Sequence, residues 1–468
     1  MPVVAGVDSS TQSTKVELRD LDSGAILAST SAPHPPVTPP RSEQDPHAWW
    51  TAFEHAWPSA VAALPSGERI DAISIAGQQH GMVALDADGE PVHPGKLWND
   101  TESAADASWL IGRLGGADDW AAAVGSVPVA AFTATKLSWL HRSRPDAWAR
   151  MARVLLPHDY LTHRLTGRFT TDRGDASGTG YWSPSTGEYR WEILAVIDAE
   201  RDWSEVVPAV LGPLDVAGDW NGVTVAAGTG DNMAAALGLG LGPGDAALSV
   251  GTSGTAFAVT DAPTADPSGE VAGFADATGR FLPLVCTSNA AKVLDAVARL
   301  LGVDHDEFDR LAFTAGTDRP LVLPFFDGER TPYRPDARGV LAGLRSDVSR
   351  ADVARAAVDG VACGLVDAFD SLRRHAAIDG TIVLTGGGSR SRCLQAVITG
   401  LLDRPVVVAT VDQAVATGAA VQAAAVALDC DHAEVQRRWG LGDGTPVADP
   451  LAPGDLRERY AALRDASA

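Results

Sequence analysis

The feature that most constrains the fold is a strand–turn–strand pattern that occurs near the N-terminus and again just past the middle of the chain. The first copy is "VVAGVDSSTQSTKVEL" (3–18) and the second is "AALSVGTSGTAFAVT" (246–260). Each copy begins with an apolar strand, passes through a turn of Ser, Thr, Gly or Asp, and continues into a second alternating strand. A repeat at so large a spacing predicts two similar domains rather than a solenoid.

The length of the chain agrees with that division. A chain of 468 residues is long enough for two or three domains, each with its own core. The repeat places a first domain over residues 1–241 and a second over residues 242–430. A mostly helical C-terminal tail is expected over residues 431–468.

Local patterns predict the elements around the repeat. The segment 47–64 has helical periodicity, and Ile70–Ile75 and Val223–Ala227 are apolar enough to form buried strands. A short helix is expected over Met233–Leu237. In the second half, Ile382–Thr385 is a predicted strand that runs into a glycine-rich turn.

Composition excludes several classes of function. A formal net charge of −23 disfavours nucleic acid and anionic membrane surfaces as partners. Four cysteines without a CxxC pair indicate neither a disulfide framework nor a zinc site. The N-terminus has no basic segment before its apolar run, and no uncharged run reaches the ~20 apolar residues of a membrane span. We therefore expect a cytoplasmic protein.

Three glycine- or hydroxyl-rich turns are candidates for binding phosphate: Asp8–Thr11, Gly251–Gly254 and Gly386–Gly388. Such turns expose backbone N–H groups to phosphate oxygens. None of them is a P-loop, and each one alone is more simply a plain connecting turn. The first two occupy equivalent positions in the repeat, as two hairpins that grip one nucleoside triphosphate from opposite sides would require.

Two acids stand out beside these turns. Asp8 follows the first strand, where a carboxylate can hold Mg²⁺ directly or through water; the alternative is an Asx-turn or a helix cap. Asp231 lies between glycines and an Ala-rich run in "AGTGDNMAAA" (227–236). Asp231 is either a helix N-cap or a carboxylate held out for chemistry.

With these residues in place, the chain resembles the FGGY carbohydrate kinases of the actin-like ATPase superfamily over about residues 3–428. The matching motifs come in the order of that family. They are "GVDSSTQSTK", "SEQDPHAWW", "IAGQQHGMVALD", "LWND", "FTATKLSWL", "LLPHDYL", "GDASGTGYW", "GTGDNMAAALG", "SVGTSG", "LPFFDGERTPYRPDARGVLAGL" and "LTGGGSRS".

The resemblance implies a fold and a reaction. The fold is α/β, with two actin-like (ribonuclease H-like) ATPase domains, each a mixed sheet flanked by helices, and a cleft between them. The reaction is transfer of a phosphoryl group from ATP, with Mg²⁺, to the terminal hydroxyl of a sugar, and D-xylulose is the expected sugar. Members of the family often form dimers, so a homodimer is expected as well.

The resemblance also assigns roles to individual positions. Asp231 matches the catalytic base, and a metal-binding role is expected for Asp8. The residues expected to contact the sugar are Gln79, His80, Trp98, Asn99, Asp100, Asp231 and Asn232. The residues expected to contact ATP are Asp8, Ser10, Thr11, Gly251, Thr252, Ser253, Gly386, Gly387 and Gly388.

Two positions depart from the family pattern and leave alternatives open. Gln79 stands where an apolar Met is common, and Glu102 stands where Arg is usual. These departures keep open a kinase for another ketose or polyol, such as ribulose or a related sugar alcohol. A sugar-independent actin-like ATPase is a further alternative, although it has no need for the polar motifs "GQQHG" and "LWND".

Overall fold

The computed structural model describes residues 2–65, 68–402 and 404–467. The chain divides into two compact units. Unit 1 consists of Met1–Leu241, Asp261–Leu282 and Gln413–Gly442, and unit 2 consists of Gly242–Thr260, Pro283–Asp412 and Asp443–Ala468. The domain boundaries expected at 241/242 and 430/431 stay a prediction. In the folded chain, the segments Asp261–Leu282 and Gln413–Gly442 pack with unit 1.

The strands in chain order are β1 (Pro2–Ser9), β2 (Ser13–Asp20), β3 (Ile26–Pro33), β4 (Glu43–Gln44), β5 (Arg69–Gly77), β6 (Val83–Leu85), β7 (Gly95–Lys96), β8 (Arg153–Leu155), β9 (Thr170–Asp172), β10 (Trp182–Ser183), β11 (Glu188–Tyr189), β12 (Ala209–Leu211), β13 (Val216–Trp220), β14 (Val223–Ala226), β15 (Thr229–Gly230), β16 (Ala246–Val250), β17 (Gly254–Ala258), β18 (Ala272–Ala275), β19 (Phe281–Thr287), β20 (Leu321–Leu323), β21 (Val340–Ala342), β22 (Ile382–Thr385), β23 (Val406–Ala409) and β24 (Gly444–Pro446).

The helices are α1 (Pro46–Ala62), α2 (Ala104–Arg113), α3 (Ala117–Val124), α4 (Thr133–Ser143), α5 (Pro145–Arg150), α6 (Pro157–Thr166), α7 (Arg173–Ala176), α8 (Trp191–Ile197), α9 (Asp231–Gly238), α10 (Ala291–Leu301), α11 (His305–Phe313), α12 (Arg350–His375), α13 (Arg392–Leu401), α14 (Ala414–Leu428), α15 (His432–Trp439) and α16 (Leu456–Ala466).

Unit 1 is built on a mixed sheet with the strand order β13-β14-β5-β1-β2-β3. Strand β1 lies in the middle, antiparallel to β2 and parallel to β5, so Val7 faces both Val16 and Ile75 in register. The side chains of β1 are almost all buried because helices cover the sheet. Helix α1 packs on β2 and β3, and α14 packs on β1 and β5.

Unit 2 repeats this arrangement around β16. Strand β16 is antiparallel to β17 and parallel to β22, and the sheet continues through β23 to β24. The long helix α12 packs against β17 and β20. Each unit is therefore a mixed sheet flanked by helices, and the predicted two-domain α/β fold with a repeated hairpin is confirmed.

Helices α9 and α14 cross so closely that their backbones touch. A Cβ atom placed on Gly418 would lie 1.8 Å from the carbonyl oxygen of Ala234, and one placed on Gly238 would lie 1.9 Å from that of Ala414. Neither glycine has the positive φ that would demand glycine for conformational reasons. Space alone therefore requires glycine at both positions.

Among the described residues, no single helix is long and apolar enough to cross a membrane. Helices α14 and α15 pass that test only when they are taken together, across a bend of 113°.

We expect Gly418→Ala to lower the melting temperature, because the added methyl group overlaps the carbonyl oxygen of Ala234. Overpacking of this kind costs about 1–3 kcal/mol. The matched control is Gly112→Ala in α2, where a Cβ atom meets nothing within 4 Å and alanine favours the helix by roughly 0.5–1 kcal/mol. Equal melting temperatures for the two variants in a calorimetric scan would contradict the assigned role of this crossing.

Candidate active site

The first predicted phosphate turn places a buried carboxylate at the end of β1. Asp8 accepts a short hydrogen bond from the hydroxyl of Ser10, and its Oδ2 atom lies 3.9 Å from Nζ of Lys15. Burial raises the pKa of the Asp8 carboxyl, although the Ser10 hydrogen bond and the Lys15 charge oppose that shift. A hard cation beside Asp8 would therefore stabilise its ionised form.

Asp231 is the first residue of α9, and the N-cap of that helix is Gly230. The alternative interpretation of Asp231 as the cap is therefore wrong. The side chain keeps partial solvent access, yet surrounding protein raises the pKa of its carboxyl to about 7, by desolvation first and by the charge of Asp8 second. A carboxylate with such a pKa accepts protons far more readily than a solvated aspartate does.

A chain of hydrogen bonds ties Asp231 to the loop that follows β5. Asn232 Nδ2 donates to Asp231 Oδ1 at 3.0 Å and to Gln79 Oε1 at 2.7 Å. The Nε2 atom of Gln79 is buried, and it has no hydrogen-bond partner among the described residues. Because a buried amide donor without a partner is costly, Nε2 is suited to a ligand oxygen beside Asp231.

Both the backbone conformation and the ring position of His80 are constrained. Its φ is 64°, a left-handed conformation that a residue other than glycine adopts only when its surroundings enforce it. Nδ1 lies 2.8 Å from the carbonyl oxygen of Gly178, and the imidazole packs at centroid distances of 5.0 Å from Phe132 and 5.3 Å from Phe274. The position of the ring is thus fixed by packing and by this polar contact.

Thr11 connects the phosphate turn to the predicted sugar loop. Its hydroxyl accepts a hydrogen bond from Trp98 Nε1 at 3.0 Å and donates one to Gln78 Oε1 at 3.3 Å. The Trp98 side chain is 39% exposed. The Oδ1 atom of the adjacent Asn99 is buried and has no partner among the described residues. The structure therefore brings Thr11, Trp98 and the segment after β5 together.

Asp100 differs from its neighbours because it belongs to a buried ion cluster. Its Oδ2 atom accepts hydrogen bonds from the Ser42 backbone and from Lys96 Nζ, both at 2.9 Å, and its Oδ1 atom accepts one from the Glu102 backbone at 3.1 Å. With both oxygens engaged and no exposed surface, Asp100 holds the loop that carries Trp98.

Lys96 lies at the centre of that cluster. Its Nζ atom is 3.0 Å from Glu43, 2.9 Å from Asp100 and 2.7 Å from Glu102, and it lies 3.9 Å from the ring centroid of Trp139. Burial alone would lower the pKa of Lys96, but these carboxylates raise it overall. The three carboxylates are close enough to bind a metal ion, but the ammonium group already supplies the cation.

The cluster explains the departure at Glu102. Glu102 pairs with buried Lys96 and also lies 3.5 Å from Arg41. Its negative charge therefore balances the positive charges of Lys96 and Arg41.

A second buried cluster was not foreseen from the sequence. The imidazole Nε2 atom of His158, in α6, lies 3.1 Å from Asp159, 3.4 Å from Asp172 and 3.4 Å from Asp175. All four side chains are buried. Desolvation opposes the charged imidazole, but the three acids outweigh it and raise the pKa of His158 to about 9. The signal in the sequence is His and Asp adjacent within an apolar run in "LLPHDYL".

Unit 2 carries the other predicted nucleotide residues. Thr252 and Ser253 are exposed at the tip of the β16–β17 hairpin. The glycine turn after β22 packs against the same hairpin, since a Cβ atom on Gly386 would lie 2.9 Å from the Val250 carbonyl oxygen and one on Gly388 would lie 2.6 Å from Val250 Cγ1. The two glycine-bearing segments are therefore neighbours.

Family models, curated relatives and a solved structure match nearly the whole chain. Models of the N-terminal and C-terminal domains of the FGGY family of carbohydrate kinases match residues 3–238 and 246–427. The chain is 47% identical to the xylulose kinase of Streptomyces coelicolor and 46% identical to that of Streptomyces rubiginosus, in each case over 96% of this chain and 93% of the relative. A crystal structure of xylulose kinase from Bifidobacterium adolescentis matches with a TM-score of 0.85 and 37% identity, over 99% of both chains.

We expect Lys96→Met to reduce the free energy of unfolding by about 3–5 kcal/mol, because it leaves buried carboxylates without their cation. Urea denaturation measures this change. The double variant with Glu102→Gln removes one of the opposing charges as well, so it should recover part of the loss. If Lys96→Met alone were as stable as the wild type, the assigned role of Lys96 would be wrong.

Proposed function

The chain belongs to the FGGY family of carbohydrate kinases, and on that premise we propose that it phosphorylates the terminal hydroxyl of D-xylulose with ATP. The products are D-xylulose 5-phosphate and ADP. The curated relatives that match nearly the whole chain at 47% and 46% identity are xylulose kinases. This similarity favours D-xylulose over other ketoses and polyols.

Asp231 is the proposed catalytic base, and the observation that carries this role is its raised pKa beside a free amide donor. The carboxylate orients the sugar hydroxyl and accepts its proton as the new P–O bond forms. The bond from the γ-phosphorus to ADP breaks at the same time, and ADP keeps the electron pair. Asn232 holds Asp231 in place from the side.

Gln79, His80, Trp98 and Asn99 are the proposed sugar contacts. The free Nε2 donor of Gln79 suits a sugar oxygen, and the buried Oδ1 atom of Asn99 suits a hydroxyl donor. Asp100 supports this set by fixing the loop that carries Trp98. The amide of Gln79 thus serves polar recognition where the family commonly has a methionine.

The residues present fit a magnesium ion. The donor set for Mg²⁺ is hard oxygen, and Asp8 offers a buried carboxylate whose pKa is raised by burial despite the opposing effects of Ser10 and Lys15. Bound Mg²⁺ would neutralise phosphate charge. Asp8 would hold the ion, directly or through water, and Ser10 would orient the carboxylate.

Residues in each unit are proposed to contact ATP. In unit 1 they are Ser10 and Thr11. In unit 2 the exposed hydroxyls of Thr252 and Ser253 with the backbone of Gly251 suit phosphate oxygens, and the turn Gly386–Gly388 suits the adenosine because it carries no side chains.

The experiment that tests the function is an ADP-release assay with Mg-ATP and a panel of D-xylulose, D-ribulose, L-ribulose, L-xylulose, glycerol, xylitol and a blank without sugar. We expect D-xylulose to give the highest kcat/KM and the blank to give almost no ADP. A different preferred sugar would overturn the substrate. Equal rates in every well would instead indicate an ATPase without a sugar substrate.

We expect Asp231→Asn to lower kcat by at least about 100-fold, because the amide keeps the shape of the side chain but cannot accept the proton. The KM for ATP should stay unchanged, since the variant keeps every residue proposed to bind the nucleotide. Asp118→Asn, at an exposed position in α3, is the matched control and should behave as the wild type. A kcat near the wild-type value would rule out Asp231 as the base.

A further inference from the structure

The buried cluster around His158 lies directly beneath the two segments that carry the proposed chemistry. A Cβ atom on Gly77 would lie 2.9 Å from His158 Cβ, and one on Gly228 would lie 2.7 Å from His158 Nδ1. Gly77 ends β5 just before Gln78 and Gln79, and Gly228 opens the turn that leads to Asp231. His158 thus packs against both strand ends at once.

A hydrogen-bonded carboxylate links the same cluster to the Asp231 turn. Asp172 Oδ2 accepts hydrogen bonds from Thr229 Oγ1 and from the Gly174 backbone, both at 2.8 Å. Its Oδ1 atom accepts one from the Asp175 backbone at 3.0 Å. Asp172 therefore fastens the start of α7 to a residue only two positions before the proposed base.

The charges of this cluster depend on His158. The groups that face it are Asp159 from its own helix, Asp172 from β9 and Asp175 from α7, and Gly77 of β5 and Gly228 of the turn after β14 pack against its side chain. Neither carboxyl oxygen of Asp175 accepts a hydrogen bond from the described residues. Without a cation, these buried acids would repel one another with little solvent to screen them.

We propose that His158, as an imidazolium ion among Asp159, Asp172 and Asp175, is a positioning residue that holds the strand ends of Gln79 and Asp231 in register for phosphoryl transfer. This inference rests on the proposed sugar-kinase function. The imidazolium does not touch the substrate. It neutralises the acids around Asp172, which fastens the Asp231 turn, and its side chain fills the space that Gly77 and Gly228 leave open.

The charge state of His158 gives the inference a signature in pH. The pKa of His158 is raised to about 9, above the reference value of about 6.5. The stabilisation from the imidazolium is therefore complete below about pH 6.5 and is lost as the pH rises through about 9. Burial raises the pKa of Asp175 first, and the charges of Asp159, Asp172 and Asp231 add to that shift, whereas the His158 charge opposes it.

The test compares His158→Gln with His158→Lys over pH 6 to 11. Gln keeps a polar side chain but removes the charge, so kcat should fall roughly 10- to 100-fold, as expected when a reacting group is misplaced. The KM for ATP should not change. Lys keeps the charge and has a reference pKa of about 10.4, so it should restore most of kcat and move the alkaline decline of kcat to a higher pH than in the wild type.

His432→Gln is the matched control. His432 is buried in the same unit, and burial lowers its pKa to about 4, so it is neutral at working pH. This variant should keep the wild-type kcat and the wild-type alkaline decline. A loss as large as that of His158→Gln would make the effect a general result of replacing a buried histidine and would overturn the inference.

The remaining outcomes are equally decisive. A wild-type kcat in folded His158→Gln, or a Lys variant as impaired as the Gln variant, overturns the inference. If the Gln variant fails to fold, the Lys variant decides, and an alkaline decline at the wild-type pH is then the contrary result. The variants are compared on whichever sugar of the panel the wild type phosphorylates. If the wild type does not phosphorylate D-xylulose, that result counts against the proposed substrate and not against the role of His158.

Discussion

The backbone contact between α9 and α14 is the constraint on which the geometry around Asp231 depends. Asp231 begins α9, so the direction of its carboxylate follows the axis of that helix. Helix α14 fixes this axis through glycine contacts, and it also reaches the preceding turn, because Gln422 Nε2 donates to the Gly228 carbonyl oxygen at 3.0 Å. A helix far along the chain therefore sets both the turn and the helix that present the proposed base.

Two buried cations of unit 1 have similar surroundings. Lys96 and His158 each lie among three carboxylates. A buried ion pair adds little net stability compared with apolar packing, but loss of one partner is severe. The ions therefore define where loops and strand ends meet more than they add to the total stability. The Lys96 cluster fixes the loop of Trp98, and the proposed role of the His158 cluster is to fix the Asp231 turn.

Much of the fold could be predicted because its signals are local. The strand Ile382–Thr385 lies where the sequence placed it, and the helix predicted over Met233–Leu237 occurs as α9. The repeated hairpin was also readable, since apolar strands around a polar turn need no distant partner to be recognised. The position of Asp231 at a helix start followed from the same local pattern, although Gly230 and not Asp231 is the cap.

What the sequence could not reveal are the charged pairs that only the folded chain brings together. The charge of Glu102 is explained only by Lys96 and Arg41, and His158 is explained only by acids from β9 and α7. Such pairs have no fixed spacing, so periodicity cannot detect them.

The discontinuity of unit 1 has a consequence for how the protein is made. Residues 413–442 belong to unit 1, yet the intervening chain 283–412 belongs to unit 2. During synthesis the N-terminal segment emerges from the ribosome long before α14 is made. Until then, α14 cannot cover the face of the sheet that it packs on. Contacts of such large sequence separation form late and slowly. We therefore expect the nascent N-terminal half to be the stage most dependent on chaperones, and the arrival of α14 to complete both the core and the turn that carries Asp231.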